Sequence, residues 1–233
     1  QDEIEIVCWG DSMTSGVGAP RECSYPAWLE RKTGFKTYNF GVGGATSEEI
    51  AIMQGGITPE DDLSNYDLDE EVMKLGQEHP GDILILEIGS NGGWNDDYDL
   101  LIEQYRAMID HSGCTRYIII GDTDDPLESV DDAVVEAAEE LAENEEYMGD
   151  AETTWETALR KEFGAHFINM RLFLIREGLE TAYLTPTEED EEDAENGIIS
   201  VQLRSDWTHL NIAGYYAKAV CVYKKGVELG YWG

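Results

Sequence analysis

Ile4-Glu5-Ile6-Val7-Cys8-Trp9-Gly10-Asp11-Ser12 is a short apolar run that stops on a glycine and a polar turn. A brief run rich in β-branched and aromatic residues and bounded by turn formers reads as a buried strand. Four later runs have the same form: Lys36–Phe40, Ile83–Ile88, Tyr117–Ile120 and His166–Asn169. Helical patterns separate them, at Tyr25–Thr33, Ser47–Met53, Tyr98–His111, Thr154–Phe163 and Asn211–Glu228. Thr46 and Ser47 ahead of Glu48 and Glu49 suit a helix N-terminus. The last helix carries Ala213, Tyr216, Ala217, Val220 and Val227 on one face. Strands alternating with helices predict a parallel sheet covered on both sides. With Ile4–Trp9 counted there are five strands, so the expected α/β architecture is a flavodoxin-like three-layer α/β/α sandwich with a five-stranded parallel sheet.

The 233 residues suit one domain, residues 1–233, with acidic insertions near 58–78 and 122–150. Thr58–Glu78 is polar and acidic, between the second helix and the third strand. Within Asp122–Asp150, Val130–Leu141 has a helical pattern that turns Val134, Val135, Ala138 and Leu141 inward. A third acidic run, Glu188–Glu195, reads as a solvated loop or helix.

Fifty acidic residues against fifteen basic ones give a net charge of -35. Such a polyanion repels phosphate backbones and anionic membranes, so nucleic acid is not an expected partner. A neutral substrate fits, and the carboxylates keep the surface hydrated. No apolar run approaches the roughly 20 residues a membrane span needs, so no membrane insertion is expected. Cys8, Cys23, Cys114 and Cys221 are scattered without a C-x-x-C pair, and no acidic cluster follows a calcium-loop pattern, so no metal or cofactor is expected. Cys8 in a strand and Cys221 in a helix read as small buried hydrophobes.

Three of the strands end in glycine-rich turns: Gly10-Asp11-Ser12, Gly41-Val42-Gly43-Gly44 and Gly89-Ser90-Asn91-Gly92-Gly93. Ligands of open α/β sheets bind beyond the carboxyl ends of the strands, where these turns would line one crevice. Asp206-Trp207-Thr208-His209 lies just before the last helix. An Asp three residues ahead of a His can hold the ring at Nδ1 and leave Nε2 free to take a proton from a serine.

These blocks resemble those of the SGNH, or GDSL-like, hydrolases. Gly10-Asp11-Ser12 is similar to the first block, whose Ser is the nucleophile. Asn39-Phe40-Gly41-Val42-Gly43-Gly44 resembles the second, whose Gly supplies an oxyanion-hole N–H, here assigned to Gly44 with Gly43 as the neighbouring choice. Gly89-Ser90-Asn91 resembles the third, whose Asn side chain is a further donor. Asp206-x-x-His209 resembles the fifth, which carries the Asp and His of the triad. The blocks stand in the family's order from residue 10 to residue 209. Met13 replaces the family's Leu, and Gly92 follows Asn91 where many members have Asp.

The resemblance implies a serine esterase with Ser12, Asp206 and His209 as triad and Ser12, Gly44 and Asn91 as oxyanion hole. A short-chain, acetyl ester on a neutral carbohydrate is the expected substrate, with Trp94 and Trp207 as candidate substrate-lining rings. A lysophospholipase or thioesterase of the same family is the alternative, as is a non-catalytic carbohydrate-binding module on this scaffold. The ordinary α/β-hydrolase elbow, Gly-x-Ser-x-Gly, is excluded by Thr14 at its last position. The chain opens at Gln1 rather than Met, which is compatible with removal of a leader. With a polymeric substrate, the expected location is secreted or at the cell surface, and cytoplasmic is the alternative. The oligomeric state has no signature in the sequence.

Overall fold

The computed structural model describes residues 3–60, 62–88, 91–92, 98–123 and 152–233. Five parallel strands form one sheet: β1 (Glu5–Gly10), β2 (Lys36–Gly41), β3 (Ile83–Glu87), β4 (Arg116–Ile120) and β5 (Phe167–Ile168). Their spatial order is β2-β1-β3-β4-β5, the flavodoxin-like order. β1 pairs with β2 on one side and β3 on the other, with Cys8 opposite both Asn39 and Ile85. The chain therefore leaves β1 in one direction and returns to its other side. That reversal opens a crevice at the carboxyl ends of β1 and β3. Ser12 follows one of these strands and Asn91 the other.

Strand alternation divides the core between two faces. Ile6, Cys8, Ile83, Ile85, Ile118 and Ile120 pack with Tyr215, Ala219 and Val222 of the C-terminal helix Ile212–Glu228. Val7, Trp9, Leu84, Leu86 and Ile119 pack on the opposite face with Ile50 and Met53 of the helix Ser47–Gln54 and with Tyr105 and Met108 of the helix Tyr98–Ser112. The strands are buried on both sides, which explains why their sequences are nearly continuous apolar runs.

The structure differs from the sequence pattern in four places. β5 shrinks to Phe167–Ile168, because His166 belongs to a 3-10 turn and Asn169 caps the next helix by accepting from the Leu172 amide at 3.1 Å. That helix, Met170–Phe173, runs through a π-helical turn into Leu179–Thr181, with Arg176, Glu177 and Glu180 facing outward and Leu172, Leu174 and Leu179 inward, an element the sequence pattern left unassigned. Inside it the buried Arg171 guanidinium grips the Glu156 carboxylate at 2.7 Å.

The polar stretch Thr58–Glu78 holds a helix, Glu70–Glu78, begun by the Asp69 carboxylate on the Glu71 and Val72 amides. Val72, Met73 and Leu75 seat it on the second core, so the acidic composition hid an amphipathic element. Glu188–Glu195 is a helix with a Thr187/Asp190 capping box. Its buried Asp190 accepts from Gln202 Nε2 at 2.7 Å and from Ser200 Oγ, so this face is docked rather than solvated. The expected helix Val130–Leu141, and with it the acidic segment from residue 124 to 150, lies outside the described residues.

Cys8 and Cys221 are buried as expected, and all four cysteines are free thiols. Among the described residues no helix is long and apolar enough to cross a membrane.

Candidate active site

β1 ends at Gly10, and the chain turns at once into a four-residue helix, Ser12–Ser15. Asp11 caps it: one carboxylate oxygen accepts the Met13 amide at 3.0 Å. Ser12 thus occupies the first position of a helix at the mouth of the crevice, where its own amide has no helical partner.

The opposite wall is a tight loop. Arg204 and Leu210 form an antiparallel bridge, and the Ser205 amide donates to the His209 carbonyl at 3.0 Å. Asn211 locks this loop to the C-terminal helix. Its Oδ1 accepts the Gly214 amide at 3.0 Å, while its Nδ2 donates to the Gln202 carbonyl at 2.8 Å. Gly18 lets the chain beyond the Ser12 helix approach the same loop: a Cβ there would stand 2.3 Å from the Leu210 carbonyl oxygen.

Within that loop both oxygens of Asp206 lie 3.0 Å from His209 Nδ1. His209 Nε2 lies 2.9 Å from Ser12 Oγ, across 197 residues of sequence. An ionised carboxylate accepts only, so Nδ1 carries the proton and Nε2 presents its lone pair to the hydroxyl. Partial burial raises the Asp206 carboxyl pKa, but bonds from the His209 amide, the His209 ring and the Thr208 amide outweigh it. The net effect holds Asp206 below the usual carboxylate range and keeps it ionised.

Three backbone amides around Ser12 donate to no acceptor among the described residues: those of Ser12, Gly43 and Gly44. Val42 to Ala45 form a turn closed by the Ala45 amide on the Val42 carbonyl at 3.1 Å. Gly44 stands at φ +76°, which the third residue of a type II turn requires and which only glycine adopts cheaply. Gly43 is near Ser12, since a Cβ on it would be 4.0 Å from that of Ser12. Asn91 Nδ2 donates one proton to Asp11 Oδ2 at 3.2 Å. The amide has a second proton, so the Asp11 bond orients the group without using it up. Preorganised donors of this kind stabilise the negative charge that builds on a carbonyl oxygen under attack.

Residues 8–217 match the model of the GDSL-like lipase/acylhydrolase family. The chain belongs to that family. This GDSL-like protein is accordingly a hydrolase of the carboxylic ester class. Similar folds occur in a lipolytic protein of the G-D-S-L family from Desulfitobacterium hafniense, at 16% identity and TM-score 0.55 over 95% of this chain and 98% of that one. Another from Veillonella parvula has 16% identity and TM-score 0.50 over 97% of both chains. A carbohydrate esterase family 2 enzyme with a carbohydrate-binding domain from Corynascus thermopiles has 15% identity and TM-score 0.53, over 97% of this chain and 67% of that one. Functionally curated proteins show no significant sequence match.

Ser12, Asp206 and His209 thus meet in one crevice of the GDSL-like fold, with Asn91 tied to it through Asp11 and Gly43 beside Ser12, while Gly44 follows Gly43 in the same turn. Trp207 is 57% exposed, with the Arg204 guanidinium 4.5 Å from its ring centroid. It lines, with Val201, Arg204, Ser205 and Asp206, a recess of about 260 Å³ beside the Asp206–His209 pair. Trp94, Gly89 and Ser90 lie outside the described residues.

Sequence reasoning missed the support of the site. In sequence Asp11 stands out only as part of a block, although it orients both Asn91 and the Ser12 helix. Glu87 and Lys218 were absorbed into apolar elements. Each is a lone charge in an otherwise apolar run, which is the signal that marks them.

Proposed function

We propose that the protein is a serine esterase that removes short acyl groups, acetyl above all, from a neutral carbohydrate. The observation that carries this reading is the relay from Asp206 through His209 Nδ1 and Nε2 to Ser12 Oγ, with contacts of 3.0 and 2.9 Å. Ser12 Oγ attacks the ester carbonyl while His209 Nε2 takes its proton. The carbonyl π electrons move onto oxygen, which the amides of Ser12 and Gly44, with Gly43 beside them, and the free proton of Asn91 receive. Collapse expels the alcohol, protonated by His209, and leaves Ser12 acylated. A water, deprotonated by His209, then cleaves that ester and restores the hydroxyl.

Charge and surface guide the substrate class. A net charge of -35 disfavours anionic lipids and polyanionic polysaccharides at the crevice. The exposed Trp207 ring, steadied by Arg204, offers a face on which a sugar ring can stack. The recess of about 260 Å³ beside it lies next to the Asp206–His209 pair, where the sugar of an acetylated carbohydrate would rest while its ester reaches Ser12. A polymeric substrate agrees with action outside the cell.

A series of p-nitrophenyl esters of increasing chain length, run beside acetylated xylan and mannan, tests the reading. Acetate is expected to be turned over fastest and acetate to be released from the polysaccharides, and Ser12→Ala abolishes both. Best rates on long-chain esters favour a lysophospholipase or thioesterase instead. Turnover that survives Ser12→Ala defeats the role of Ser12 as nucleophile, and absence of turnover in the parent returns the protein to a binding module.

A further inference from the structure

Directly beneath Ser12 lies an ion pair that the ester chemistry does not use. Lys218, fully buried in the C-terminal helix, places Nζ 2.6 Å from Glu87 Oε1 and 2.5 Å from Oε2, and Glu87 is 1% exposed. Nζ also donates to the Met13 carbonyl at 3.1 Å. Thr14 Oγ1 donates to Glu87 Oε1 at 3.2 Å. The rings of Tyr25 and Tyr215 flank the ammonium at 4.9 and 5.8 Å.

The three backbone segments joined here are those that carry the site. Met13 and Thr14 belong to the helix that Ser12 begins. Glu87 ends β3, four residues before Asn91. Lys218 belongs to the helix whose cap, Asn211, follows His209 by two residues. In a helix of four residues the Met13 carbonyl has no helical donor among the described residues, and Lys218 supplies one.

Stability alone gives little reason for this arrangement. A buried ion pair is often no more stable than an apolar pair of the same volume, because desolvation of two charges offsets their attraction. What the pair adds is direction, a fixed bond to one carbonyl of the turn that bears Ser12.

We propose that Lys218 and Glu87 are positioning residues for the ester reaction, a clamp that holds the Ser12 turn, the strand before Asn91 and the segment after His209 in one register. The proposal rests on the reading of Ser12, His209 and Asp206 as the catalytic triad. Neither residue touches substrate. They act through the position of Ser12 Oγ relative to His209 Nε2, and misplacement of about 1 Å in such a pair costs on the order of 10²-fold in rate.

The double variant Glu87→Gln/Lys218→Met removes both charges and the bond to Met13 while keeping volume and charge balance. Lys218→Arg keeps a cation that can reach the same carbonyl. Lys218→Met alone leaves a buried unpaired carboxylate, which is strongly destabilising, so the proposal does not depend on it. For parent, double variant, Lys218→Arg and Ser12→Ala, the measurements are kcat and KM for p-nitrophenyl acetate, the rate of Ser12 phosphorylation by a neutral organophosphate, and the melting temperature.

The double variant is expected to melt near the parent and to keep KM within about threefold. It should lose about 10²-fold in both kcat and phosphorylation rate. Lys218→Arg is expected to recover part of both. A folded double variant with the parent's kcat and phosphorylation rate overturns the clamp, as does a loss of activity that only follows the unfolded fraction. An inactive parent, or an active Ser12→Ala, overturns the triad reading and the clamp with it. A parent that depends on Ser12 beside an unaffected double variant overturns the clamp alone.

Discussion

Asp206 is 57% exposed at its side chain, yet it must stay ionised to hold the His209 ring. The loop achieves this with bonds rather than burial. The His209 and Thr208 amides donate to Asp206 Oδ1 at 2.6 and 2.9 Å, and the ring donates from Nδ1. These bonds hold the carboxyl below its usual range, so the folded state binds a proton less readily than the unfolded chain. The stabilisation is therefore complete above the unfolded carboxylate pKa of about 3.9 and is lost as pH falls through the lower folded value. Asp206→Asn is expected to be less stable than the parent in urea unfolding at neutral pH, with the gap shrinking below about pH 4. A gap that stays constant into acid contradicts a charge-based role. The spacing Asp206-x-x-His209 disclosed this pair because three residues of turn bring a carboxylate to the amide and the ring of the same His. The orientation of Asn91 had no such local signal, since it depends on Asp11, eighty residues away.

Among elements, the helix Glu70–Glu78 shows how tightly the second core is closed. Gly76 packs against Trp9, and a Cβ there would stand 2.5 Å from the indole ring. Alanine normally gains about 1 kcal/mol over glycine inside a helix. Overpacking a closed core costs about 1–3 kcal/mol, and here the obstacle is a buried ring anchored in β1. Gly76→Ala is therefore expected to lower the melting temperature, against its helix propensity. A rise would mean that the helix slides freely on the sheet. The strands were legible because burial on both faces demands unbroken apolar runs. The helices Glu70–Glu78 and Glu188–Glu195 were obscured because acidic residues cover their outer faces while few apolar residues dock them.

Across the whole molecule, charge is the dominant stress. Fifty carboxylates against fifteen cations repel one another, and the exposed ion pairs among the described residues are few. Salt screens exposed charges with a length of about 10 Å at ~0.1 M, whereas the buried pairs Glu87–Lys218 and Glu156–Arg171 are shielded from it. Moderate sodium chloride is thus expected to raise the melting temperature, because repulsion is relieved more than attraction is lost. A melting temperature that falls with added salt would show that surface pairs outweigh the repulsion.

The amino-acid sequence by itself determined the α/β class, the parallel sheet, the residue types of the site and their order along the chain. These are local matters: burial on two faces writes apolar runs, sharp turns write glycines, and an Asp–His spacing writes a loop. The tertiary structure alone decided that Ser12 meets His209 across 197 residues and that Lys218 and Glu87 lie together beneath them. Those contacts arise from the strand order β2-β1-β3-β4-β5 and from the C-terminal helix packing back on β1 and β3. Proximity between distant segments is a property of packing, and no single segment encodes it.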